Sequence, residues 1–169
     1  MTLHWLDDQE YMTYVRDILY HPEVQRLDQF VHHKFTTRLE HSIMVSYLSY
    51  RWAKRLGLDA RSTARAGLLH DLFFYEGCNK KQVGGRGHNY EHPRIALKNA
   101  EALFELNDLE RDIILKHMCG STRDIPKYKE SWIVTMMDKQ AAVMEIGLGV
   151  WNFLKVKKKQ LSSTEWNDF

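Results

Sequence analysis

The chain has 169 residues, 44% hydrophobic and 27% charged, with a net charge of +2 at neutral pH. That length suits one domain with a substantial buried core, and so small a charge argues against a nucleic-acid binder or a membrane-surface protein. Two cysteines, Cys78 and Cys119, exclude both a disulfide framework and a four-thiolate zinc site.

MTLHWLDDQEYM lacks a basic segment followed by an apolar core, so no signal peptide is expected. The longest apolar run, AAVMEIGLGVWNFL, contains Glu145 and Asn152 and is too short and too polar for a membrane span. A reduced, cytoplasmic setting is the expectation.

Few prolines and no short alternating segments predict helices throughout. The first runs from about Asp7 to Tyr20, with Tyr11, Tyr14, Val15, Ile18 and Leu19 at helical spacing, until His21-Pro22 ends it. A short helix through Val24, Leu27 and Val31 follows. Thr37 and Glu40 form a capping box ahead of a long helix that Gly57 stops. The next helix opens at Asp59 and carries Ala64, Ala66, Leu68 and Leu69 toward His70-Asp71. Residues 76–92 read as a glycine-rich loop, and Pro93 suits the first position of the helix PRIALKNAEALFEL. Asn107 with Glu110 caps LERDIILKHM, CGSTRDIP makes a turn, and YKESWIVTMMDKQAAVMEIGLGVWNFL is the last helix. The expectation is one all-α bundle of six or seven helices over 1–154, its core at about 25–150. A basic tail over 155–169 carries Lys155, Lys157, Lys158 and Lys159, read as a solvated helix end in preference to a contact patch.

The stretch AGLLHDLFFYE sets Asp71 among Leu68, Leu69, Leu72 and Phe73. An ionised aspartate there requires a partner, because losing its water shell is strongly unfavourable. A helix cap, a buried hydrogen bond or a metal ion each meets that requirement. Of nine histidines, His41, His70, His92 and His117 lie within or at the edge of predicted helices. His41 shares a face with Val45, Leu48 and Trp52, which points it inward, and His117 follows Ile113 and Ile114. Asp138 interrupts WIVTMMDKQAAVM as Asp71 interrupts its own run. Singly, a core hydrogen bond or a salt bridge serves each of them. Together they send polar groups from several helices toward one core, and one or two divalent cations would satisfy them all.

RLEHS, GLLHD and MMDK carry the order His41, His70-Asp71, Asp138. This resembles the H…HD…D pattern of the HD-domain metal-dependent phosphohydrolase superfamily over about residues 25–150. More narrowly, the chain is similar to small stand-alone bacterial HD hydrolases, including the branch that cleaves diadenosine tetraphosphate symmetrically. The resemblance implies that His41, His70, Asp71 and Asp138 hold a first ion and that His92 and His117 hold a second. Asp71 would bridge the two ions, and His70 and Asp71 would be the catalytic pair. The implied reaction is hydrolysis of a phosphoester or phosphoanhydride bond in a nucleotide or similar small phosphorylated substrate, by metal-activated hydroxide. Histidine and carboxylate ligands without thiolate suit iron or manganese, and are compatible with zinc, cobalt, nickel or magnesium. The Glu-Asp pair of the family's alarmone hydrolases is missing between Asp71 and His117, which argues against guanosine tetraphosphate. Two alternatives stay open: a di-iron oxygenase, known among relatives with the same six ligands, and a non-catalytic metal- or nucleotide-binding regulatory domain.

Phosphate recognition calls for cations near the centre. Lys80, Lys81, Arg86 and His88 lie in the glycine-rich loop, with Arg86 and His88 closest to His92. Arg123 follows His117, and His33 precedes the capping box. Lys139 neighbours Asp138 and either contacts phosphate or pairs with Glu145. No G-K-[ST] follows the glycines, so this is no P-loop. Neither nucleic acid nor membrane is an expected partner, and exposed aromatics such as Trp151 or Trp166 offer a homodimer contact.

Overall fold

Side-chain caps set where several of the helices begin. The computed structural model describes the backbone of residues 5–32, 36–75 and 86–164, with side chains up to Gly147 except His32 and Ile146. Its helices are α1 (Gln9–Leu19), α2 (Pro22–Gln25), α3 (Arg38–Arg55), α4 (Ala60–Leu69), α5 (His88–Leu103), α6 (Asp108–Lys116) and α7 (Lys129–Thr164). Asp8 accepts from Tyr11 N at the start of α1, and Asp59 accepts from Ser62 N at the start of α4. Reciprocal capping boxes start α3 (Thr37 with Glu40) and α6 (Asn107 with Glu110). Each such cap contributes about 1 kcal/mol by satisfying backbone N–H groups that have no partner within the helix. The architecture is all-α. Its strands among the described residues, β1 (Val31–His32) and β2 (Thr36–Thr37), pair over two residues each.

Three local expectations change. The helix through Val31 stops earlier, because Phe30 turns to an extended conformation and its carbonyl accepts from Arg38 N (2.8 Å) across the β1–β2 ribbon. Pro93 lies inside α5 instead of opening it. Gly87, at φ +94°, offers its carbonyl to Tyr90 N and Glu91 N, so the helix is under way five residues before the proline. Trp52 is exposed while His41 and Val45 on the same face are fully buried. Helix α7 runs to Thr164, and the lysines at 155–159 lie toward its end.

The core gathers where α4 is enclosed. Val15 and Ile18 of α1, Val45 of α3, Leu68 and Leu69 of α4, Ile113 and Ile114 of α6 and Val134 of α7 are all fully buried. Helices α3 and α4 approach closely at Gly67, where an added Cβ would lie 2.9 Å from Ser46 Cα. Ser46 Oγ donates to Ala64 O (2.7 Å) and bonds to Tyr11 OH (2.9 Å), which ties α1, α3 and α4 together. Arg65 joins α4 to Glu110 of α6 and to Asp17 of α1, both at 2.9 Å. Asp112 of α6 accepts from Lys127 N (2.9 Å) and Ser131 Oγ (2.7 Å), which fixes the start of α7. Among the described residues, no helix is long and apolar enough to cross a membrane.

Candidate metal centre

Helices α4 and α6 both end on a histidine. His70 and His117 are their C-caps, and each donates Nδ1–H to the carbonyl three residues back, Gly67 O and Ile114 O, at 2.8 Å. His92, on α5, donates Nδ1–H to His88 O at 2.8 Å. His41, on α3, donates Nδ1–H to Glu145 Oε1 of α7 at 2.9 Å. Carbonyl and carboxylate oxygens only accept, so every one of these Nδ1 atoms carries a proton. That leaves Nε2 of all four rings to face a common centre.

Two carboxylates complete it. Asp138 Oδ1 is 3.1 Å from His41 Nε2 and 3.6 Å from His70 Nε2. Asp71 divides its oxygens. Oδ1 lies 3.3 Å from His92 Nε2 and 3.6 Å from His117 Nε2, while Oδ2 lies 3.8 Å from His70 Nε2. His92 Nε2 and His117 Nε2 are 2.8 Å apart. Within this set, His41, His70 and Asp138 can surround one ion, and His70, Asp71 and His117 another.

The donor set fits divalent cations. His70 Nε2 and Asp71 Oδ1 are buried with no hydrogen-bond partner among the described residues, a state that a protein interior seldom tolerates. Ligand atoms ~2.1 Å from a metal and at right angles to each other lie ~3.0 Å apart, close to the separations seen here. Imidazole and carboxylate without thiolate match the borderline and harder ions.

Charge is distributed accordingly. Burial opposes the charged form of His41, but hydrogen bonds to Asp138 and Glu145 outweigh it and raise the ring to about 10. His70 is also raised, against its burial, by the charges of Asp71 and Asp138. His117 moves the other way, down to about 3, through burial and the neighbouring His70 and His92. Burial works against ionised Asp71 and Asp138, yet the surrounding histidines hold both well below the usual carboxylate range.

A cavity of about 470 Å³ opens over the centre. Arg38, Phe73, His88 and Asn89 line it from the α3 and α5 side, and Met118, Ser121, Lys139 and Ala142 from the α6 and α7 side. His88 is half-buried, stacks on His92 at 4.4 Å and shares a hydrogen bond with Tyr75 OH at 3.1 Å. Burial and the adjacent His92 lower its pKa.

Of the phosphate-binding candidates, His88 and Lys139 thus reach the cavity. Arg86 is exposed, donates to Tyr90 OH (2.7 Å) and does not line it, and exposed Arg123 does not line it either. His33, Lys80 and Lys81 lie outside the described residues, as do the side chains of Trp151 and Trp166. The expected pairing of Lys139 with Glu145 does not form. Lys139 Nζ donates to Cys119 O at 2.5 Å, while Glu145 faces His41. Residues six apart on an α-helix project from different faces, which explains the mismatch.

One cavity residue went unassigned in the sequence. Arg38 is 4% exposed, donates from Nη1 to Phe73 O (2.7 Å) and from Nη2 to Tyr75 O (3.2 Å), and stacks 3.7 Å from the Phe73 ring centroid. Its signal was its place three residues before His41 in RLEHS, which puts both on one helical face.

The family model described as HD domain matches residues 38–143, from the first turn of α3 into α7. That span contains all six converging side chains. No curated protein and no solved structure matches the chain. The chain belongs to the HD-domain family, whose members are in general metal-dependent hydrolases.

Proposed function

We propose that this protein is a two-ion phosphohydrolase that cleaves a phosphoester or phosphoanhydride bond of a nucleotide or similar small phosphorylated substrate. The observation that carries this reading is the divided carboxylate of Asp71, whose Oδ1 lies near His92 and His117 and whose Oδ2 lies near His70. Asp71, His92 and His117 would hold one ion and His41, His70 and Asp138 the other, with His70 and Asp71 at the junction. Bound iron or manganese supplies Lewis acidity and lowers the pKa of a coordinated water from ~15.7 toward about 7.

The chain's own residues do the rest. Arg38 presents a fixed positive charge to the cavity, because two carbonyls and the Phe73 ring hold its guanidinium in place. A planar guanidinium suits phosphate oxygens. Lys139 uses one N–H on Cys119 O, which leaves two donors of its ammonium for substrate. Phe73, Met118 and Ala142 add apolar surface against which a base or other organic group can exclude water. His88 and Tyr75 hold one shared proton between Nδ1 and the phenol oxygen at the cavity wall.

The test is hydrolysis of a broad phosphoester panel by protein loaded with iron or manganese. Metal-dependent release of phosphate or nucleotide, lost in Asp71→Ala, is the expected result. Tight nucleotide binding without turnover would overturn the reading.

A further inference from the structure

Three of the four converging histidines orient themselves from their own helical turn. His70, His92 and His117 each donate Nδ1–H to a backbone carbonyl three or four residues back. His41 is different, because its Nδ1–H goes to the carboxylate of Glu145, 104 residues away on α7. Glu145 follows Asp138 by two helical turns, so the two acids share one face of α7 and hold the same imidazole from opposite ends. Oδ1 of Asp138 is 3.1 Å from Nε2, and Oε1 of Glu145 is 2.9 Å from Nδ1.

This is an expensive choice of acceptor. Glu145 is 1% exposed, and its second oxygen, Oε2, has no hydrogen-bond partner among the described residues. A carbonyl or a glutamine amide would orient the ring equally well with no charge to bury, as the other three histidines illustrate. What a carboxylate adds is electron density: an imidazole that donates to an anion is a stronger ligand at its other nitrogen.

We infer that Glu145 is a positioning residue that strengthens His41 as a ligand and makes the His41–His70–Asp138 group the tighter of the two ion sites. This role rests on the metal-centre reading. Asp71, His92 and His117 have no carboxylate behind them among the described contacts, so the two halves of the centre differ in ligand strength although both present imidazole and carboxylate.

The experiment is a Co²⁺ titration of the metal-stripped full chain, read by d–d absorption and by bound cobalt per chain. Wild-type protein should fill in two steps. Glu145→Gln keeps an oxygen acceptor and removes the charge. It should weaken the tighter step about 10–100-fold, shift its absorption band and leave the weaker step unchanged. Glu145→Asp keeps the charge but falls short of Nδ1, and should show the same selective loss. This provides a second variant if the first does not fold by circular dichroism. His117→Ala should remove the weaker step instead. Equal affinity of the tighter step in both Glu145 variants and wild type overturns the inference alone, as does a loss confined to the weaker step. Wild-type protein that takes up no cobalt overturns the metal centre together with it.

Discussion

His92 Nε2 and His117 Nε2 stand 2.8 Å apart, although the two residues sit on different helices. His117 donates its Nδ1 proton to Ile114 O and stays neutral down to about pH 3, so its Nε2 presents a lone pair to its neighbour. A shared cation would convert that crowding into coordination. Removing either ring should therefore cost one ion. Metal analysis after dialysis is expected to give two ions per chain for wild type and one for His117→Ala or His92→Ala. Unchanged stoichiometry in both variants would mean that these rings pack without ligating.

Asp71 touches both halves of the centre, so Asp71→Asn should affect catalysis more than any change behind the ligands. Because outer contacts of a metal site are typically worth 10–100-fold, loss of this carboxylate should lower kcat by roughly 100-fold or more. Asparagine has the same size and keeps one oxygen acceptor, so the helices should still pack around it, with some stability lost along with the charge that His70, His92 and His117 favour. Phosphate release assayed beside a melting curve separates the two effects.

Arg38 serves both the fold and the cavity. Arg38→Ala removes hydrogen bonds to Phe73 O and Tyr75 O, and leaving buried carbonyls unpaired costs about 1–3 kcal/mol. Arg38→Lys should recover part of that stability but not the planar, delocalised charge that the proposed function sets against phosphate. In urea unfolding, Lys should lie between wild type and Ala, while KM rises in both variants. A KM that stays at the wild-type value in the lysine variant would remove Arg38 from substrate binding.

Gly67 permits the α3–α4 contact and also supplies the carbonyl that orients His70. A methyl group at this position meets backbone, not a flexible side chain, so the helices must separate. Gly67→Ala should cost about 1–3 kcal/mol of stability. It should weaken metal binding as well, because His70 shifts with the end of α4. Thermal unfolding with and without added metal measures both consequences.

Asp112 gives the acid dependence of the α6–α7 junction. Burial raises its pKa, but Lys116, Ser131 and the Lys127 amide together hold it below the ordinary value of 3.8. A carboxyl whose folded value is depressed adds stability that is complete above its unfolded pKa, and that stability is lost as pH falls through the folded value. Wild-type stability should therefore drop below about pH 4 more steeply than that of Asp112→Asn. Urea unfolding at a series of acidic pH values would show it, and parallel curves would assign the acid sensitivity to other groups.

Local features were legible along the chain. The capping boxes at Thr37 and Asn107, the Asp59 cap and the stop near Gly57 all lie where the sequence expects them, since each involves residues only a few positions apart. Pro93 misled because its first-turn preference is statistical, whereas Gly87 supplied a carbonyl that began α5 earlier. Arg86 stands only six residues before His92, yet it precedes α5 and its guanidinium donates to Tyr90 OH, away from the cavity.

The amino-acid sequence by itself determined the all-α class, the helix order and the set of polar residues that interrupt apolar faces, because periodicity and caps act within one or two turns. Only the tertiary structure decided that His41 is held between Asp138 and Glu145, that Arg38 is pinned beside the cavity, and that Nε2 of each ring faces the centre. The contacts of Arg38 and His41 join residues 35 to 104 positions apart, and all of these arrangements depend on how far each helix is rotated and how closely it packs. Local propensity carries no record of either quantity.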